Sequence, residues 1–559
     1  MKLFFEGIGF VLCAALLAGC ASSGGGATEA TPGGGTLDAK QLYGGYQARK
    51  VLLSEDGTSL GLDPRVFTRG KERKGVVTTD PIDLGPSVGI IGQKAAVTAV
   101  AVEVKATVPE GASVVTHVRS GSNLLDTAGW SDWRAVRGGK GTVKDLAGRY
   151  AQVRVTLKAP DAKHLPALTG LVLEPEVEET KTADLAPLEV VRSDIQKIVR
   201  SPIVFHYERP DQKDVVAFRK AAKLDQVVKG AEDDFEVLVK LMDWVGSCRN
   251  DRKSRKHMHK GRYTWDINRV FDIVDGEPTV YGHCMTYSEV MCYASIALGY
   301  VSARHNAVGG FRQATHEVCD IWVPSLGKWV YFDPSLTSYY MDKKTGEPLS
   351  ILETHDVICE NFIPAGKDMH WFHQRRSSET YAIMRKVGGK NVIRCRLGPW
   401  RYGAPMPKDY NWGWSHGYLA NGFVHMTPRN DFQSHPEAIP RRFGNLVVSR
   451  DYPAWVDEKT PPRRGVNNWF TRKRDFYWTL DQASFHLVRT GPKTITVELG
   501  QSIPFFKEYK LTVNGAETKT AKSTYRWTLE PGENTLAVAP VDEFGKVGLK
   551  SSVTLKLAK

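Results

Sequence analysis

The sequence predicts a multidomain protein in which a mixed α+β core lies between two β-sandwiches, and three observations predict it. A chain of 559 residues exceeds what one hydrophobic core organises, which points to about three domains. Both ends read as short alternating β-segments, whereas the middle switches to apolar residues at helical spacing and then to a hairpin. The composition, 42% hydrophobic and 25% charged, is that of an ordinary globular protein and argues against a disordered chain. A formal net charge of +13 favours acidic partners such as cell-wall polymers, anionic lipid headgroups or acidic peptides. Lys and Arg are dispersed and no nucleic-acid-binding motif occurs, so nucleic acid is not an expected partner.

Taken in order, residues 1–19 read as a targeting segment. Lys2 is a minimal positive region and residues 8–17 form an apolar stretch too short to span a bilayer. Leu17-Ala18-Gly19-Cys20 resembles a bacterial lipobox, which implies cleavage before Cys20 and lipidation of its thiol. The expected location is therefore the cell envelope, anchored by lipid, and the outer membrane in a diderm because Ala21 is not an aspartate. Residues 20–36 are rich in Gly, Ser, Ala and Thr and read as a flexible tether.

Residues 37–180 are expected to form the first β-sandwich, with Val- and Ala-rich alternation around residues 95–106, 113–118 and 150–157. Trp130-Ser131-Asp132-Trp133, followed by Gly148-Arg149-Tyr150, is similar to galactose-binding-like domains, so these tryptophans are candidates to stack on sugar rings. Residues 186–475 are expected to form the core. Phe235, Val237, Leu238, Val239, Leu241, Met242 and Val245 mark an amphipathic helix, expected to lie beside the helix of the nucleophile. Residues 252–260 are a basic stretch. Its His257 and His259 lack further ligands at metal-like spacing, and neither a metal nor a cofactor is expected. The aromatic and basic stretch of residues 359–475 is too long for a bare loop and is expected to wrap the core. Residues 476–559 read as the second sandwich, with a hairpin at Asn514-Gly515 and a turn at Pro531-Gly532.

The chemistry concentrates between residues 281 and 340. In Gly282-His283-Cys284-Met285, a glycine precedes Cys284, and Val290, Met291, Tyr293, Ile296, Ala297 and Leu298 then recur at helical spacing up to Gly299. Cys284 is thus placed at a helix N-terminus, where the dipole favours thiolate. His316 opens the alternating run Glu317-Val318-Cys319-Asp320-Ile321-Trp322-Val323. A turn at Leu326-Gly327-Lys328 leads to Trp329-Val330-Tyr331-Phe332, which Asp333-Pro334 ends. A base at the start of one strand and a carboxylate at the end of its antiparallel neighbour can meet, as a Cys-His-Asp relay needs. His305 is the competing histidine, but no hairpin Asp follows it.

Helix-borne Gly-X-Cys, His-Glu-Val on a strand and Trp-Val-Tyr-Phe-Asp-Pro closing the hairpin together resemble the transglutaminase-like superfamily, relatives of the papain-like cysteine proteases. The resemblance extends to Ala303-Arg304 and to Pro348-Leu349-Ser350-Ile351-Leu352-Glu353, covering roughly 150 residues. It implies a papain-like/transglutaminase-like core, Cys284 as nucleophile, His316 as base and Asp333 as orienter, with Trp265 as the candidate oxyanion side chain. The C-terminal sandwich likewise resembles an immunoglobulin-like domain.

Of eight cysteines, Cys13 lies in the leader and Cys20 is the expected lipidation site, leaving Cys248, Cys284, Cys292, Cys319, Cys359 and Cys395, with no CxxC and connectivity open. The expected function is a cysteine enzyme acting on amide bonds of peptides or proteins through a thioester, more a hydrolase than a cross-linker. Cell-wall-linked or polysaccharide-linked peptides are among the expected substrates. The alternative from another class is a non-catalytic envelope- or polysaccharide-binding lipoprotein.

Overall fold

The computed structural model describes residues 34–68, 73–179, 185–251, 253–254, 256, 258–259, 262–263, 265–308, 315–342, 345–364, 372–374, 381–387, 390–393, 423–438, 452–458 and 466–558. The lipobox with Cys20, most of the tether, and the aromatic run from Gly398 to Tyr418 lie outside the described residues. So do the side chains of His257, His259, His305, Cys359 and Cys395.

The described chain is rich in β-structure, with many sheets and few helices. Near the N-terminus two six-stranded sheets face each other. One is built on Ala95–Thr107 paired with Ala167–Glu179, the other on Ser113–Gly121 paired with Tyr150–Lys158. Period-two alternation turns Val100, Val102, Val153, Val155 and Leu157 into the shared core, and residues from Phe423, Val456 and Trp469 extend it. Trp130 and Trp133 are only half-buried, yet Arg119 stacks over both (5.5 and 4.9 Å to the ring centroids) and Arg154 covers Trp133 at 3.9 Å.

At the C-terminus two five-stranded sheets enclose a second core around Leu487, Val497, Leu511, Trp527 and Leu555. Two contributions come from far away in sequence. Ile91–Gln93 runs parallel to Ala483–Gly491, and Leu188–Asp194 pairs antiparallel with Ser551–Leu557. Residues from 186 were expected to open the central unit. They instead supply an edge strand to the C-terminal sheet, because the alternating Leu188 and Val190 complete its apolar face.

Between these lies a six-stranded sheet in the order Lys328–Phe332, Thr315–Val323, Ser302–Val308, Phe423–Met426, Ala454–Val456, Trp469–Phe470. The last three strands come from the stretch expected only to wrap the core. One face of the sheet carries Cys319, Ile321 and Val323 against the helices Lys213–Ala221, Asp234–Ser247 and Cys284–Ala297. The other face carries Val318, Trp322, Trp329, Tyr331 and Trp455, which pack with Phe476 and Trp478. The Cys284–Ala297 helix is enclosed on every side: each residue from Met285 to Ala297 is buried, the polar Thr286, Ser288, Glu289 and Ser295 included.

Candidate active site

The strand Glu277–Val280 leads directly into the turn before Cys284. Gly282 has φ +131°, a conformation that L side chains rarely adopt, and a Cβ there would meet Thr286 Oγ1 at 2.8 Å. Thr286 occupies that space because its hydroxyl donates to the His283 carbonyl at 2.8 Å. Asn250 fixes the same turn from outside, donating from Nδ2 to the Gly282 carbonyl (3.2 Å) and to Tyr287 Oη (2.9 Å). His283 is then the N-cap, and Cys284 is the first residue of a 14-residue helix.

His316 is the second residue of its strand and 8% exposed. Its Nε2 donates to Asp333 Oδ2 at 2.6 Å, and the ring also hydrogen-bonds the Cys284 thiol, which falls to Nδ1 because Nε2 is taken. Asp333 is fully buried. Its Oδ1 accepts from Ser335 Oγ at 2.8 Å and from the Leu336 N–H at 3.2 Å, and Tyr331 Oη donates to Oδ2 at 3.4 Å. The structure thus brings Cys284, His316 and Asp333 together in one chain of hydrogen bonds.

The electrostatics follow from that geometry. Burial alone pushes the Cys284 thiol up, but hydrogen bonds from His283 and His316, the His316 charge and the Glu317 N–H pull it down to about 6. Burial alone would lower the His316 pKa, but the Asp333 carboxylate and the Cys284 thiolate hold it well above the usual imidazole range. The pair therefore favours thiolate and imidazolium. Cys248, by contrast, is pushed up to about 12 by burial. Cys319 is pushed well above the usual thiol range by burial and by the neighbouring Cys292. Cys248, Cys284 and Cys319 are free thiols.

Sequence reasoning gave His283 no role, although its Nδ1 lies 3.9 Å from the Cys284 sulfur. Adjacency in Gly-His-Cys was the available signal. It also missed Ser288, whose hydroxyl donates to the Glu317 carbonyl at 2.8 Å and ties the helix to the His316 strand. Trp265, the candidate oxyanion side chain, is buried with its ring 4.7 Å from that of Phe432. Its carbonyl accepts from Tyr293 Oη and Gln433 Nε2. In the basic stretch, Lys256 pairs with Asp272 and lies over the Tyr281 ring at 4.9 Å. Among the described residues no group of three or more His, Cys, Asp or Glu side chains is placed to hold a metal, and no helix is long and apolar enough to cross a membrane.

No protein-family model and no curated protein matches the chain. Among solved structures it is similar to accessory secretory proteins 1, 2 and 3 of Streptococcus pneumoniae, at 10% identity over 25% of this chain and 95% of that one, with a TM-score of 0.18. A cysteine-protease candidate from Cytophaga hutchinsonii shares 13% identity over 44% and 78% of the two chains, with a TM-score of 0.16. Red sea bream transglutaminase shares 11% over 88% and 95%, with a TM-score of 0.17. These likenesses are too weak to define an activity, and the functional reading rests on the site itself.

Proposed function

We propose that this chain is a cysteine enzyme that opens amide bonds of peptides or proteins through a thioester on Cys284, with His316 as acid and base and Asp333 as orienter. The observation that carries the reading is the buried Asp333–His316 hydrogen bond of 2.6 Å, continued from the same ring to a thiol at a helix N-terminus.

In this reading the thiolate attacks the amide carbonyl and the carbonyl electrons move to oxygen. Backbone N–H groups near Cys284, at the start of the helix, hold that oxyanion. As the tetrahedral species collapses, the His316 imidazolium gives its proton to the leaving amine, and the C–N bond breaks to leave the thioester. Water, deprotonated by the now neutral His316, resolves it. Asp333 holds the ring through Nε2 and keeps Nδ1 aimed at the sulfur. The enzyme acts at the cell envelope, lipid-anchored through Cys20, on peptides that include cell-wall-linked ones.

The test is to incubate the mature chain with cell-wall peptides and a glutamine-rich protein, with and without a primary amine, and to follow products by mass. Amide cleavage that persists with amine present, and that Cys284→Ser abolishes, is the expected result. Amine incorporation without hydrolysis would make the enzyme a cross-linker. No product from any substrate, with Cys284→Ser indistinguishable from the parent, would instead favour a binding protein.

A further inference from the structure

The first sandwich carries opposite charges on its two outer faces. Along Tyr150–Lys158, Val153, Val155 and Leu157 enter the core, so Arg154, Thr156 and Lys158 project outward. On the neighbouring strand Lys74–Thr78, Val77 is the core residue, so Lys74 and Val76 face out. The outer face of the opposite sheet instead exposes Glu174, Glu176 and Glu178. Cations that are dispersed along the sequence are thus collected on one face by strand pairing.

Register arranges the outward residues in rows that cross the strands. His117 lies beside Arg154, and Lys158 lies between Ser113 and Lys74. Between these two rows runs one of shorter side chains, Val115, Thr156 and Val76, closed at its far end by Arg49. The rows of Arg154 and Lys158 stand about 13 Å apart along their shared strand. Long cationic side chains on either side of a short middle row leave a groove of about 440 Å³ across the strands. Among the described residues, no Asp, Glu, Phe, Tyr or Trp lines it.

Arg154 has an aromatic neighbour where a carboxylate would be expected. The Trp133 ring lies 3.9 Å from its guanidinium, and its Nε is buried with no hydrogen-bond partner among the described residues. Burial and the Arg119 charge push its pKa down, and Tyr46 offsets them only in part, so an added negative charge is favoured beside it. The nature of the occupant follows from what the groove lacks. Tyr150–Lys158 and Lys74–Thr78 are paired on both sides, so their backbone groups are spent within the sheet and an extended peptide gains no strand pairing here. Nucleic-acid bases need an aromatic platform, and Trp133 already stacks with Arg154. A glycan chain that bears carboxylates needs neither. Its charges meet the two cationic walls, and its hydroxyls meet Gln47 and Thr156.

We propose that this groove binds a carboxylated polysaccharide, a uronate polymer, whose carboxylates pair with Arg154 on one wall and Lys158 on the other. The proposal is independent of the chemistry at Cys284. It is tested by calorimetric titration of the full chain with a galacturonate oligomer and with the neutral methyl ester of the same oligomer. The acid is expected to bind at least about tenfold more tightly than the ester. Lys158→Glu, at an exposed position, and Arg154→Gln should each weaken the acid at least about fivefold, with circular dichroism confirming that each variant is folded. Lys550→Glu, the same change of charge at an exposed lysine just before the strand Ser551–Leu557, should leave binding unchanged, and so should Cys284→Ser. If Arg154→Gln does not fold, the contrast between Lys158→Glu and Lys550→Glu still decides. Equal binding of acid and ester, no binding of either, equal weakening by Lys158→Glu and Lys550→Glu, or loss of binding in Cys284→Ser would overturn the proposal. Tighter binding of a polyglutamate of matched charge would assign the groove to acidic peptides and overturn it as well.

Discussion

At Asp333 four donors converge on one fully buried carboxylate: the His316 ring, the Tyr331 and Ser335 hydroxyls and the Leu336 N–H. Such a group is held in one orientation, and so is the ring it holds. Asp333→Asn keeps the shape but removes the charge that stabilises an imidazolium. We expect it to lower kcat/KM by about 10²–10⁴-fold while the variant stays folded, read from the kinetics of whichever substrate the product screen identifies. His283→Ala removes one of the hydrogen bonds that pull the Cys284 thiol down. It should raise that pKa by less than His316→Ala does, as measured by alkylation at graded pH. Cys284, His316 and Asp333 were legible in the sequence because the strand alternation and the Gly327 turn place the last two at facing strand ends. The flanking His283, Ser288 and Tyr331 were not, since their roles depend on how the helix sits against the sheet.

The helix N-terminus depends on an element smaller than the helix, the turn at Gly282. Gly282→Ala adds a Cβ 2.8 Å from Thr286 Oγ1 in a backbone with φ +131°. It should cost about 1–3 kcal/mol in urea unfolding and slow Cys284 alkylation even where the fold survives. A second joint is Asp320, fully buried on the His316 strand. Its Oδ1 accepts the Ile351 N–H at 3.1 Å at the start of the helix Ile351–Asn361, and its Oδ2 accepts Tyr477 Oη at 3.0 Å. Asp320→Ala leaves both donors buried and should destabilise by about 1–3 kcal/mol. Long periodic elements were readable in advance: the helix Asp234–Ser247 and the strands Ala95–Thr107 and Tyr150–Lys158. The short strands Ile91–Gln93, Ala454–Val456 and Trp469–Phe470 were not. Two or three residues carry no period, and their partners are set by tertiary packing.

Across the whole molecule the two sets of terminal sheets are tied directly to each other. Arg149 makes a two-pronged contact with Asp83 (2.6 and 2.7 Å), His486 approaches the same carboxylate at 3.5 Å, and Tyr150 Oη donates to Glu498 at 2.8 Å. Burial pushes the Asp83 carboxyl up, but His486 and Arg149 outweigh it and hold it below the usual carboxylate range. The folded pKa is depressed, so this contribution is full above the ordinary aspartate value and is lost as pH falls through the lower folded value. Stability should therefore drop below about pH 4, and Asp83→Asn should flatten that part of the profile in thermal unfolding. Arg149→Met, which strands a buried carboxylate, is expected to cost about 3–5 kcal/mol. The sequence could not disclose this tie, because Asp83, Arg149 and His486 come from three distant strands or turns.

The claim on which the functional reading depends is that Cys284 is a thiolate because His316 and Asp333 make it one. The direct measurement is the rate of iodoacetamide labelling at each cysteine, resolved by mass spectrometry from pH 4 to pH 10, in the parent and in His316→Ala. Cys284 should label first, with a midpoint near pH 6, while Cys248, pushed up to about 12, stays unreactive. In His316→Ala the Cys284 midpoint should move up towards the ordinary thiol value of about 8.5. A midpoint already near 8.5 in the parent, unmoved by His316→Ala, would contradict the account.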